Sequence, residues 1–217
     1  MNRLKRSDLK RLGLDALKGN WGTVIGSLFI LIAIYGAIAI LFILIGGTPD
    51  PNKIFTKFDG FNLVSQLLTT GAFQLGFIAI FMHIARQQKV SVSILFKYYK
   101  SGNLYVKSLI WYILYSIYLL LWTLLLIIPG FIKSYSYAMS SYILNDNPEL
   151  SANQAITQSR KMMDGHKLDL FLLHLSFIGW IILGIITFGI GFIWITPYMQ
   201  ATEAMFYRNL KGELHNQ

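Results

Sequence analysis

The feature that most constrains this chain is a run from Thr23 to Gly47 that contains no Asp, Glu, Lys, Arg or His. A lipid core about 30 Å thick is crossed by about 20 consecutive apolar residues in a helix, so this run predicts a membrane span. Composition agrees: 54% of the 217 residues are apolar, 13% are charged and the mean hydropathy is +0.51, whereas soluble domains carry about 25% charged residues. Too few ionic side chains remain to cover a water-facing surface, and the excess apolar area has to face lipid.

Further runs extend from Phe61 to Ala85, interrupted only by His83, and from Ser108 to Ile128. Gly130 to Leu144 is shorter, rich in serine and tyrosine, and carries Lys133. Leu168 to Tyr207 is too long for one helix and is punctuated at Phe188-Gly189-Ile190-Gly191. Glycines tolerate the positive φ values of a tight helical hairpin, and Pro129-Gly130 supplies similar punctuation earlier. The expected fold is all-α, a polytopic membrane helix bundle of six transmembrane helices arranged as three hairpins, in one integral-membrane domain over residues 1–217.

Short basic loops stay cytoplasmic. Lys and Arg cluster in the N-terminal segment, between Arg86 and Lys107, between Arg160 and Lys167, and at Arg208 and Lys211. Lys53, Lys57 and Lys133 are left on or near the outer face, and both termini are expected in the cytoplasm. The first run continues past Ala37-Ile38-Ala39, so it is expected to anchor the chain uncleaved instead of acting as a signal peptide.

Three basic segments end alike, in Gly19-Asn20, Gly102-Asn103 and Gly165-His166, each just before an apolar run. Upstream, Leu9, Leu12, Ala16 and Leu17 share a helical face, as do Ile94, Leu95 and Tyr98, and then Leu150, Ala155, Ile156, Met162 and Met163. The pattern predicts a cytoplasmic interfacial amphipathic helix before each hairpin. Each glycine would end its helix in a left-handed conformation while the Asn or His bonds freed backbone groups. The implied repeats are 1–86, 87–147 and 148–210, although glycine and asparagine are also common ahead of any membrane helix.

Leu17-Lys18-Gly19-Asn20-Trp21-Gly22, Ile128-Pro129-Gly130, Ser159 to Gly165, Leu175 to Trp180, Pro197-Tyr198 and Phe206-Tyr207 together resemble domain-of-unknown-function family 975, over nearly the whole chain. The resemblance implies an integral membrane protein of the bacterial plasma membrane, and it brings no activity or catalytic residues. More distantly, the chain is similar to the membrane portion attached to some glycerophosphodiester phosphodiesterases, which points to lipid or envelope biology.

The chain has no cysteine, which removes disulfides, thiolate metal sites and cysteine nucleophiles together. No two of His83, His166, His174 and His215 stand at helical ligand spacing, and no Walker glycine loop or Gly-x-Ser-x-Gly elbow is present. No catalytic residue, metal or cofactor is expected, and the protein reads as non-enzymatic.

Polar groups at bilayer depth are costly and attract attention. Gln66, Thr70 and Gln74 fall on one helical face, and Lys133, His174 and Glu203 complete a candidate intramembrane polar site. Each has a plainer role. The Gln/Thr stripe can hold helices together, Lys133 can snorkel to headgroups, and His174 can bond a neighbouring helix. Glu203 is expected to pair with Arg86, Lys107 or Lys167. Gly22 and Gly26 form a G-x-x-x-G match suited to close helix packing, and Pro197 can kink the last span.

The net charge of +9 is spread along membrane edges without a nucleic-acid recognition motif. Anionic phospholipid is the expected partner, through Arg3, Lys5, Arg6, Lys10, Arg11 and Lys18. A protein partner or homo-oligomer is compatible with this. The expected role is membrane or envelope organisation with anionic-lipid or partner binding at the cytoplasmic face. The alternative is a small transporter, channel or lipid-translocating protein built on the polar residues of the bundle.

Overall fold

The computed structural model describes residues 4–44 and 57–214. Among these the chain is helical and without strands: α1 (Arg6–Leu17), α2 (Trp21–Leu44), α3 (Lys57–Ala85), a 3-10 helix (Val92–Tyr99), α4 (Gly102–Leu125), α5 (Ile127–Tyr137), α6 (Ser140–Asp146), α7 (Ala152–Met162), α8 (Lys167–Leu175), α9 (Ile178–Ile186) and α10 (Phe192–Leu210). Four stretches are long and apolar enough to cross a membrane: Trp21–Leu44, Leu63–Ala85, Gly102–Leu125 and Lys167–Ile186, the last comprising α8 and α9.

Four of the six expected spans meet this measure of length and apolar character, and the other two do not. Gly130 to Leu144 divides between two helices, and the 11 residues of α5 rise only about 16 Å at about 1.5 Å per residue. α6 is buried in protein from Ser140 to Asn145. α10 reaches 19 residues, but it carries Gln200, Thr202, Glu203, Arg208 and Asn209 and is buried at most positions from Ala201 onward. It is a core helix covered by α1 and α3.

The three expected hairpin units are not equivalent either. α1 packs on α10, the 3-10 helix packs on α3, and α7 packs on α4, α5 and α6. Their junctions differ as well. Gly19 (φ 80) and Gly165 (φ 74) adopt the left-handed conformation that ends a helix, and Asn20 Nδ2 donates to the freed Ala16 carbonyl at 3.3 Å. Gly102 instead opens α4 as its first residue, with exposed Asn103 behind it.

Glycine does its packing work away from the G-x-x-x-G match. Among the described residues, a Cβ at Gly22 or Gly26 would meet nothing within 4 Å. Gly13 lets α1 cross α10, because a Cβ there would lie 2.7 Å from Thr202 Oγ1. Gly71 and Gly76 let α3 meet the Ser108 and Leu95 carbonyls, with which a Cβ would collide. The expected apolar face of α1 is real, with Leu9 and Leu17 buried and Leu12 and Ala16 partly buried, but it covers protein instead of headgroups.

Chain reversals follow the sequence in one case and not in the other. Phe188 (φ 52) and Gly189 (φ 90) make the turn between α9 and α10. At Pro129-Gly130 the break falls earlier, at extended Leu126 (φ −163), and Pro129 sits in the first turn of α5 where its missing N–H costs nothing. Gly130 is helical there and allows contact with Thr123. Pro197 is accommodated within α10, which continues through it.

Burial is lopsided along the bundle. The later halves of α3 and α10, most of α6, and Leu95 and Tyr98 of the 3-10 helix are buried, whereas Leu124 to Ile128, Ile185, Ile186, Phe188 and Ile190 are exposed apolar side chains. A cavity-free contact such as Gly76 against Leu95 tolerates no added methyl. Gly76→Ala is expected to cost about 1–3 kcal/mol, read as a lower melting temperature in detergent, with Gly22→Ala close to wild type; equal melting temperatures would contradict this packing.

Candidate functional site

The polar end of the bundle is organised by Arg86, which follows directly on α3. Its Nη1 and Nη2 donate to Asp146 Oδ1 and Oδ2 at 2.6 and 2.8 Å. Its Nη2 and Nε reach Glu213 Oε1 and Oε2 at 2.8 and 3.3 Å. Lys211 Nζ donates to Asp146 Oδ2 at 2.7 Å, and Tyr207 donates its hydroxyl to the same oxygen at 2.9 Å. Arg208 donates to Glu213 at 3.0 Å and to the Ala85 carbonyl. Next door, Asn145 Nδ2 donates to the Leu75 and Ser141 carbonyls, and its Oδ1 accepts from Tyr98 at 3.2 Å.

Burial of Asp146 works against its charge, but hydrogen bonds from Arg86 and Lys211 outweigh it and hold its pKa at about 2. Glu213 is also held at about 2, its partial burial overcome by Arg86, Arg208 and Lys211. Charge-assisted bidentate pairs are the strong kind, and here every carboxylate is shared by at least two cations.

Two of the expected intramembrane residues meet in a second cluster. His174 Nε2 lies 2.9 Å from Glu203 Oε1, and Tyr142 donates to Glu203 Oε2 at 3.4 Å. Tyr135 stacks at a tilt against the imidazole, its hydroxyl 3.4 Å from Nδ1. The expected partners of Glu203 are engaged elsewhere: Arg86 in the cluster above, Lys107 on the Pro148 carbonyl and Lys167 in a basic recess. Gln66 and Gln74 are exposed on α3 and Thr70 is half-buried there, so the stripe does not join the His174–Glu203 pair.

Lys133 departs furthest from expectation. It shares a recess of about 470 Å3 with Ser136, Thr157, Arg160, Lys161, Asp164 and Lys167, and its ammonium lies 4.3 Å from the Trp122 ring centroid. One recess cannot straddle a lipid core of about 30 Å. Lys133 therefore gathers with Arg160, Lys161 and Lys167 at one surface instead of standing apart from them. The cause is the shortness of α5.

The N-terminal cations divide by role. Lys10 donates to the Ser176 carbonyl at 3.1 Å and sits 4.2 Å over the Phe177 ring, locking α1 to the joint between α8 and α9. Lys18 pairs with Asp15 at 2.7 Å and Arg11 with Asp8 at 3.9 Å, exposed pairs that contribute little. Lys5 and Arg6 are exposed and line a cavity of about 390 Å3 with His166, Asp169 and Asn209. There His166 Nδ1 stands 3.1 Å from Asp169 Oδ2. Arg3 lies outside the described residues.

Sequence reasoning missed Asp146 and Glu213 as organisers. A signal was available: acidic residues number only ten, and Asp146 stands two positions beyond the apolar run Tyr142-Ile143-Leu144, where a buried carboxylate requires a cation.

Fold and site together define an all-helical chain with four helices long and apolar enough to cross a membrane, closed at one end by an ion-paired cluster and flanked by a basic recess. The chain matches the family model described as "Protein of unknown function (DUF975)" over residues 1–133 and 123–213, and it belongs to that family. No curated protein and no solved structure matches it.

The depressed pKa values of Asp146 and Glu213 give a signed pH dependence. Their ionisation stabilises the fold fully above the ordinary values of 3.8 and 4.5 and is lost as pH falls toward about 2. The melting temperature in detergent is expected to hold from pH 7 to 5 and to drop between 4.5 and 2. Arg86→Gln should lower it at neutral pH by the equivalent of about 3–5 kcal/mol, because it leaves two carboxylates short of a cation. A variant as stable as wild type with the same acid profile would refute the role given to this cluster.

Proposed function

We propose that this is a non-enzymatic integral membrane protein of the bacterial plasma membrane, whose basic end lies at the cytoplasmic leaflet and binds anionic phospholipid, organising the membrane or envelope around it. The observation that carries this reading is the recess of Lys133, Arg160, Lys161 and Lys167, four cations against the single carboxylate Asp164. Basic residues beside an anionic leaflet contribute about 1 kcal/mol each, and exposed Lys5 and Arg6 add to the same end.

The topology that goes with it places both termini in the cytoplasm. It needs two returns besides the four apolar stretches: α5 with α6 brings the chain back from the end of α4 to Asp146 beside Arg86, and α10 brings it back from the turn at Gly189, packed against α1 and α3, which is how a helix with Glu203 and Arg208 is tolerated. Support comes from Glu213, beyond α10, meeting Arg86 at the end of α3.

A second reading is favoured by one observation: His174 and Glu203 meet as a partly buried pair beside Tyr135, the kind of element a small transporter uses. Thermal unfolding of the purified protein with added phosphatidylglycerol or phosphatidylcholine separates the two. Anionic lipid at about 100 times its Kd contributes about 2.7 kcal/mol, so phosphatidylglycerol is expected to raise the melting temperature by several degrees, less at high salt, with phosphatidylcholine without effect. Equal effects of both lipids would overturn the proposal. Proton-driven flux in proteoliposomes, lost on Glu203→Gln, would establish the second reading.

A further inference from the structure

We infer that α5, α7 and α8 form a seat for one anionic phospholipid, its phosphate in the basic recess and an acyl chain in the apolar groove beside it; this deepens the proposed function and rests on it. Several cations elsewhere among the described residues are committed. Arg86, Arg208 and Lys211 share Asp146 and Glu213, Lys18 has Asp15, and Lys10 has the Ser176 carbonyl. Among the described residues Lys133, Arg160, Lys161 and Lys167 form no ion pair, although all four line one recess with Asp164. Like charges gathered without counter-ions repel, and an anion bound among them relieves that repulsion. The recess therefore selects a negatively charged occupant.

The sequence and fold explain why the cations gather. α7 is an amphipathic helix that buries Ala152, Ala155, Ile156 and Ser159, and its register turns Thr157 and Arg160 toward α4 and α5. Ser159 fixes that register by donating to the Ser136 carbonyl at 2.9 Å and accepting from the Met139 amide at 3.1 Å. Gly165, at φ 74, then turns the chain so that α8 starts at Lys167. The first amides of α8 carry no side-chain cap, and helix N-termini favour anions.

What makes the occupant a lipid is the second compartment. A groove of about 270 Å3 between α5 and α8 is lined by Phe131, Ile132, Tyr135, Leu168 and Phe171, and by Lys167, which also lines the recess. Phe131 packs edge-on against Phe171 at 6.0 Å and against Tyr135 at 5.2 Å, giving the groove a rigid aromatic floor. Phe131, Ile132 and Leu168 remain largely exposed. A soluble phosphate ester would leave that apolar surface uncovered, whereas a phospholipid places its tail on it and its phosphate beside Lys167 and Lys133.

Native mass spectrometry of the detergent-purified full chain with dioleoyl phosphatidylglycerol tests this. Wild type should retain one lipid in preference to phosphatidylcholine. Lys133→Gln with Arg160→Gln should weaken retention tenfold or more, from the loss of two basic contacts. Arg160→Gln with Lys161→Gln, both at exposed positions, should weaken it similarly without touching the core. Leu168→Asn should weaken it several-fold, and Lys89→Gln with Lys100→Gln, both exposed and outside the recess, should leave it unchanged. Melting curves verify that each variant is folded. Equal weakening by the Lys89/Lys100 pair means dispersed lipid binding, which overturns the seat and leaves the proposed function standing. Displacement by glycerol phosphate as effective as by the lipid overturns the lipid as occupant. A wild type that retains neither lipid preferentially overturns both proposals.

Discussion

Arg86 is the tie on which the arrangement depends. It leaves the end of α3, grips Asp146 at the end of α6 with both terminal nitrogens, and holds Glu213 beyond α10. A partly buried ion pair adds little net stability over a well-packed apolar contact, but removing one partner is severe because a charge is left without compensation. Such a cluster is best suited to fixing register. It determines which residue of α3 faces which of α6 and α10, and so where Gly76 meets Leu95 and where Tyr142 meets Glu203.

From this tie follows a division of charge. Two of the ten acidic residues are spent neutralising Arg86, Arg208 and Lys211, and the remaining acids are too few to match the cations. Four cations of that surplus gather where α5, α7 and α8 converge. The lower dielectric of a membrane edge strengthens such a field, which is why anionic lipid is the counter-charge proposed for it. His174 and Glu203 occupy an intermediate position, paired with each other and screened by Tyr135 and Tyr142.

The sequence speaks clearly where one physical effect dominates. Thr23 to Gly47 has no alternative to a long apolar helix, and α2 forms over its described part. Gly19, Gly165 and Gly189 adopt the positive φ their turns require. It misleads where burial in lipid and burial in protein look alike. The apolar face of α1 suits headgroups and α10 equally, and only Gly13 against Thr202 decides for α10. In the same way, Tyr142 to Leu144 is apolar because α6 is a protein core. The partners of Glu203 and Asp146 lie 29 and 60 positions away, beyond any local pattern, and depth matching from loop positions set Lys133 apart from Arg160 and Lys167, with which it shares a recess.

The account stands on the basic recess being one surface on one side of the membrane. Because the chain has no cysteine, single cysteines at Lys133, Arg160 and Lys211 can be labelled with a membrane-impermeant maleimide in intact cells and in inverted vesicles without background. All three are predicted to react only in inverted vesicles, with a cysteine at Phe188 refractory there. Labelling of Lys133 from outside the cell while Arg160 reacts only from within would split the recess across the bilayer and contradict the account.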